Sequence, residues 1–225
     1  MSNVMNSIPN MQAENIGSKL KPLYMIKGFI ELPCWNGYYL NDEAYKGRED
    51  RVITGGRIVQ FVDGEIAPDK SLHFSAEQIN AYTYLMKHQE DIKHSIVQGL
   101  KREFPRLLSD EYASWEQEAP HFPKLSEERE DFDFQDYIGP ESISISEDSK
   151  DEVAYINWQF RCRWDIEHGF QVVTHKDRVI EIGPDVDIWN IYKDNGTYEQ
   201  ELKAYNDRVS VSCPRKQKKW WQFWW

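Results

Sequence analysis

A capped amphipathic helix is the strongest structural signal in this sequence. Ser75 and Gln78 have the spacing of a capping box, in which each side chain accepts a hydrogen bond from the other residue's backbone amide. Behind them, large apolar residues recur every three or four positions, as on one buried helix face. They are Ile79, Tyr82, Met86, Ile92, Ile96, Leu100 and Phe104. We therefore predict a helix over residues 75–104 that ends near Pro105, because proline cannot donate to the helical ladder.

Strand patterns lie on both sides of this helix. Residues 153–164 alternate so that one face is wholly apolar, which is typical of a strand on a core. Shorter apolar runs separated by turn residues predict further strands at 23–32, 51–62, 141–146, 170–174, 178–182 and 188–192. The first sixty residues therefore indicate a β-meander.

The order of these elements predicts an α+β fold. Antiparallel sheets from both ends of the chain would pack with the one long central helix. Residues 1–20 are polar without a period and predict a flexible N-terminus. We expect a single domain over residues 21–194 and a C-terminal extension over residues 195–225.

Charge and composition limit the classes of function. The net charge of -11 disfavours nucleic acid, since phosphates would be repelled, and it favours basic partners. No run approaches the roughly 20 apolar residues of a membrane span, and no signal peptide is visible, so we predict a cytoplasmic protein. Cys34, Cys162 and Cys213 are too few and too scattered for a disulfide framework. Motifs for nucleotide, zinc and calcium sites are absent, so we predict no cofactor and no metal site.

An acidic segment is the candidate partner-binding site. Residues 126–152 hold eleven acids against one arginine and one lysine. We predict that the first five acids contact a basic protein partner and that salt weakens this contact. They are Glu127, Glu128, Glu130, Asp131 and Asp133.

A second cluster has two interpretations. Asp165, Glu167 and His168 could act as a carboxylate–histidine pair in a hydrolase-like enzyme. They also lie between two predicted strands, where the chain must reverse. In that case Asp165 would accept backbone amide bonds and Gly169 would supply a positive φ. We favour the structural turn over the catalytic cluster.

The same region resembles a known family. Residues 160–169 and 175–183 pair a Trp-Asp-Ile-Glu-His-Gly motif with a His-Lys-Asp-Arg-Val-Ile-Glu-Ile-Gly motif. This pairing resembles the signature of an uncharacterised bacterial domain family, and the resemblance extends over residues 21–192. Such families are often encoded near toxin and immunity genes, so the resemblance implies a protective binding role by association.

The C-terminal tail combines positive charge with a dense run of aromatic residues. Five rings in six residues would form a costly apolar patch in water, so we expect something to cover them. The tail could dock on its own body, on a sister chain in a homo-oligomer or on a partner, or it could lie at a membrane interface. The residues concerned are Lys218, Lys219, Trp220, Trp221, Phe223, Trp224 and Trp225.

Three functions follow from these features. The leading hypothesis is a non-enzymatic binding protein, such as an immunity protein that holds a basic toxin on its acidic face. The alternatives are a hydrolase that uses the Asp165 cluster and a peripheral membrane protein held by its tail.

Overall fold

The computed structural model describes residues 7–18, 23–38, 56–67, 71–109, 134–135, 137–162, 164–165 and 168–212. The strands in these ranges are β1 (Met11–Asn15), β2 (Tyr24–Glu31), β3 (Arg57–Val62), β4 (Glu65–Ile66), β5 (Leu72–His73), β6 (Ile138–Lys150), β7 (Val153–Cys162), β8 (Phe170–His175) and β9 (Arg178–Gly183). The helices are α1 (Ala76–Ser109), α2 (Ile188–Asn195) and α3 (Tyr198–Ser212), and a 3-10 turn covers Pro33–Trp35.

The main sheet has seven strands in the order β1-β2-β3-β6-β7-β8-β9, and β4 and β5 form a separate pair. The α+β class is confirmed, and β1, β2 and β3 are consecutive antiparallel neighbours, while the start of the strand run predicted at 51–62 lies outside the described residues. The sheet is mixed, however, because β3 and β6 are parallel while the other neighbours are antiparallel. The expectation of purely antiparallel sheets is wrong at this pair, since α1 lies between the two strands in the chain. A helical crossover of this kind lets the next strand run in the same direction.

Helix α1 packs on one face of the sheet and forms the core with it. The capping box is confirmed, since Ser75 Oγ accepts from the Gln78 amide at 3.1 Å and Gln78 Oε1 accepts from the Ser75 amide at 2.9 Å. The apolar face predicted for β7 is also confirmed. Its buried residues are Ala154, Ile156, Trp158, Phe160 and Cys162.

Two details of α1 differ from expectation. The helix continues past Pro105 to Ser109. Burial of Phe104 and Leu107 offsets the cost of an interior proline, which is about 3 kcal/mol. The helix is also kinked at His88, whose φ of -123° and ψ of 24° are not helical. Gln89 directly follows the kink. Its side-chain Nε2 donates to the Met86 carbonyl, and its Oε1 accepts from the Cys34 backbone amide.

Both chain ends contain elements that the sequence did not reveal. Met11–Asn15 is a strand, so the predicted flexible N-terminus is wrong there. This strand lies at the edge of the sheet and does not alternate apolar with polar residues, so the sequence pattern did not predict a strand there. Ile188–Asn195 is a helix and not the predicted strand, because Asp187 caps its first turn and Gly196 ends it at a φ of 83°.

Contacts divide the chain into Met1–Val186 and Asp187–Trp225, before the predicted boundary at residue 194. In the second unit, the Trp189 ring contacts the rings of Tyr192, Tyr198 and Tyr205 at centroid distances of 5.6 to 5.7 Å. In the described part of the chain, no helix is both long and apolar enough to cross a membrane.

Candidate functional site

Several predicted site residues lie outside the described ranges. They are Glu127, Glu128, Glu130, Asp131, Asp133, Glu167, Lys218, Lys219, Trp220, Trp221, Phe223, Trp224 and Trp225. The acidic segment nevertheless has a defined attachment point. Phe134 follows Asp133 directly and is buried against Phe104 and Trp164, at ring centroid distances of 5.3 and 6.4 Å. Phe134, which lies within the acidic segment, is therefore fixed to the core near Trp164, and the segment continues from Ile138 as strand β6.

Residues 164–169 connect β7 to β8, and these strands are antiparallel, as predicted. Asp165 is buried and accepts the His168 amide at 2.9 Å, while its carbonyl accepts the Gly169 amide at 3.0 Å. The prediction that Asp165 accepts backbone amide bonds in this connection is confirmed. His168 Nδ1 lies 3.2 Å from Asp165 Oδ1, and the His168 side chain is 60% exposed. The carboxylate therefore holds both the backbone and the ring of His168.

Asp165 can be tested as a turn brace. Replacing Asp165 by Ala leaves the His168 amide without its acceptor, so we expect a loss of about 1 kcal/mol of folding free energy. Asp165→Asn keeps an oxygen at the same place and should lose less. Chemical denaturation of the three proteins measures both differences. A catalytic Asp165 would show the opposite pattern, with unchanged stability in Asp165→Ala and activity lost in both variants.

The structure also contains a cavity of about 340 Å³ at the start of α1. Three acidic side chains line it from separate segments: Asp63 follows β3, Glu65 begins β4, and Glu147 lies in β6. The remaining lining residues are Gly64, His73, Phe74, Ser75 and Gln78. We refer to this feature as the acidic cavity. It brings together residues that are far apart in the sequence.

Gln78 links the segments that line the acidic cavity. Its side chain is buried, and Nε2 donates to the carbonyls of Asp63 and Ser146 at 2.7 and 3.3 Å. Since Oε1 also accepts from the Ser75 backbone amide, this one side chain joins the start of α1 to Asp63, which follows β3, and to Ser146 within β6. The pairing register of β6 with β7 shifts between Ile145 and Ser149, and such bulges re-aim side chains. Glu147 lies within this shift.

The carboxylates around the acidic cavity favour binding of a cation. Burial, together with the neighbouring Glu147 carboxylate, raises the pKa of Asp63 above its ordinary value. The raised pKa means that the surroundings of Asp63 stabilise its ionised form less than water does. A cation placed between Asp63 and Glu147 would supply that compensation. The Phe74 ring adds an apolar wall that could pack against a hydrocarbon stem.

Metal binding is not indicated in the part of the chain that the structure describes. No three side chains of His, Cys, Asp or Glu there are arranged to hold a metal ion. Cys34 and Cys162 are both buried free thiols. Burial raises the pKa of Cys34 to about 12, so its thiol stays protonated and unreactive at neutral pH.

Sequence reasoning missed the acidic cavity for a clear reason. The sequence pattern at Ser75 and Gln78 indicates a helix cap, and Asp63 has no pattern of its own that indicates a site. Glu147 was counted within the acidic segment without a partner. Only the parallel pairing of β3 with β6, which places Val62 beside Ile145, shows that Asp63 and Glu147 lie close to each other.

Comparison with known families decides the affiliation of the chain. The model of a domain of unknown function (DUF6985) matches residues 40–189, about two thirds of the chain. The chain belongs to the DUF6985 family. This confirms the resemblance to an uncharacterised domain family. The comparisons with curated proteins and with solved structures found no match.

The DUF6985 match includes both features described above. The acidic cavity and the turn at 164–169 lie within the matched residues, whereas β1, β2 and α3 lie outside them. All residues that line the cavity thus lie within the matched range.

Proposed function

We propose that this DUF6985 protein is a non-enzymatic binding protein that holds a basic protein partner on acidic side chains. The observation that carries the proposal is the acidic cavity, in which three carboxylates face a space large enough for a lysine or arginine head group. The raised pKa of Asp63 supports it, because a bound cation would favour the charged carboxylate. The acidic segment predicted from the sequence would extend the same attraction over a wider surface.

An immunity-type protein that holds a basic toxin is the specific form of this proposal that the sequence suggested. The hydrolase and the membrane-bound alternatives stay predictions. Asp165 has a complete structural explanation as a turn brace, and the tail lies outside the described residues. The acidic cavity therefore provides the most direct test of function.

Neutralising the acidic cavity should weaken binding of a basic peptide. We expect the double variant Asp63→Asn with Glu147→Gln to bind a decapeptide of alternating lysine and alanine about tenfold more weakly, since two attractive charges are lost. Calorimetric titration at low salt measures the difference. Affinity of the unmodified protein should rise as the pH rises through the pKa of Asp63, because the cation binds the deprotonated form.

A matched control separates the cavity from net charge. Glu90→Gln with Asp91→Asn also removes two negative charges, but from exposed positions on α1. This control should bind the peptide almost as well as the unmodified protein. Equal weakening in both double variants would show that only overall charge matters, and the proposed site would be wrong.

A further inference from the structure

The carboxylates of the acidic cavity are not paired with cations of the same chain. They belong to Asp63, Glu65 and Glu147, and the ion pairs found among the described residues all involve other side chains. Among the described residues that line the cavity, the one basic side chain is His73, whose Nε2 lies 3.0 Å from the Ser71 hydroxyl oxygen. Compensating positive charge for the three carboxylates therefore has to come from a bound group.

The Phe74 ring is a fixed aromatic wall of the same cavity. It packs against the main core on one side. It also lies close to Gly64, since a Cβ added there would be 3.0 Å from Phe74 Cδ1. Gly64 joins Asp63 to Glu65 in the chain, so the ring is held beside the segment that carries two of the three carboxylates. A group that enters the cavity thus meets an aromatic ring and carboxylates together.

Lysine and arginine carry the same charge but would use these groups differently. An ammonium is compact and strongly hydrated and has three N–H donors, whereas a guanidinium is planar and less hydrated and has five. Three carboxylates can accept from all five donors, and the face of an aromatic ring attracts a planar cation. Weak hydration matters beside Asp63, whose pKa is raised chiefly by burial, because a guanidinium leaves water at a lower cost.

We propose that the acidic cavity selects an arginine side chain of the basic partner over a lysine side chain, with the guanidinium held between the carboxylates and the face of Phe74. The carboxylates accept from its N–H groups, and the ring packs on its plane. This inference rests on the proposed function, because it names the residue type that the same cavity binds. It predicts that a partner rich in lysine binds more weakly than one of equal charge rich in arginine.

Two peptides of equal charge test this selection. We expect a decapeptide of alternating arginine and alanine to bind the unmodified protein about tenfold more tightly than the corresponding lysine peptide, in calorimetric titration at low salt. Equal affinities, or tighter binding of the lysine peptide, would overturn the selection and leave the proposed function intact. Failure of both peptides to bind would contradict the proposed function itself.

A variant separates the cavity from a general preference of acidic surfaces for arginine. Phe74→Leu keeps an apolar side chain and all three carboxylates but removes the aromatic face. We expect the arginine peptide to lose about fivefold in affinity and the lysine peptide less than about twofold. An unchanged preference in Phe74→Leu would show that the arginine is not bound against this ring, and the proposal would be wrong.

A modified peptide gives a readout that needs no variant. Symmetric dimethylation of each arginine keeps the charge but removes N–H donors and blocks bidentate hydrogen bonds. We expect the dimethylated peptide to bind the unmodified protein about tenfold more weakly than the arginine peptide. If dimethylation left the affinity unchanged, charge alone would account for binding, and the selection of arginine by its hydrogen bonds would be refuted.

Discussion

Gly169→Ala is expected to destabilise the protein by about 3 to 5 kcal/mol. Gly169 has a φ of 70°, which alone costs an alanine about 1 kcal/mol. A Cβ there would also lie 2.0 Å from the Phe160 carbonyl oxygen. Because Phe160 pairs with Phe170 in the β7–β8 ladder, the carbonyl cannot move away without disturbing that ladder. Thermal unfolding should show a melting midpoint lower by about 10 °C.

Gly196 provides the matched control for this prediction. It has a similar φ of 83°, but a Cβ there would meet nothing within 4 Å. Gly196→Ala should therefore cost only the backbone contribution, about 1 kcal/mol. If both variants lost the same stability, the close approach of Phe160 would have no energetic role and our account of the turn would be wrong.

Phe134→Ala is expected to cost about 3 to 5 kcal/mol. Phe134 is 1% exposed, and its ring packs edge-on to Phe104 and near Trp164. Removing it leaves a cavity where the chain enters β6, and truncation of buried phenylalanine typically has this cost. Chemical denaturation measures the loss.

Phe29 is the control for the Phe134 prediction. Its ring is 49% exposed on β2 and contacts the Arg57 guanidinium at 4.4 Å from the ring centroid. Phe29→Ala should therefore cost at most about 1 kcal/mol. A large loss at Phe29 together with a small one at Phe134 would contradict the assigned core.

The parts of the fold set by local patterns could be predicted from the sequence. The Ser75 cap, the apolar face of β7 and the turn at Asp165 each depend on residues close in the chain, and each is confirmed. Features that depend on tertiary context could not be predicted. Continuation of α1 past Pro105 requires burial of Phe104 and Leu107, and recognition of β1 requires β2 beside it.

The candidate site divides in the same way. Asp165 was predicted because its partners are three and four residues away. The acidic cavity was not, because Asp63 and Glu147 come together only through the pairing of β3 with β6. The α2 helix shows a different cause of error. Its apolar residues resemble a short strand, and the deciding signals are the flanking Asp187 and Gly196.

The parallel pair of β3 and β6 also bears on how the protein folds. Strands β1 to β3 form one set of local antiparallel pairs, and β6 to β9 form another. The two sets meet in the sheet where Val59 pairs with Ser142, about 80 positions later. Closing so long a loop costs more chain entropy than closing the shorter connections within each set, so we expect each set to form before the pair of β3 and β6. We therefore expect formation of this parallel pair to limit the rate of folding.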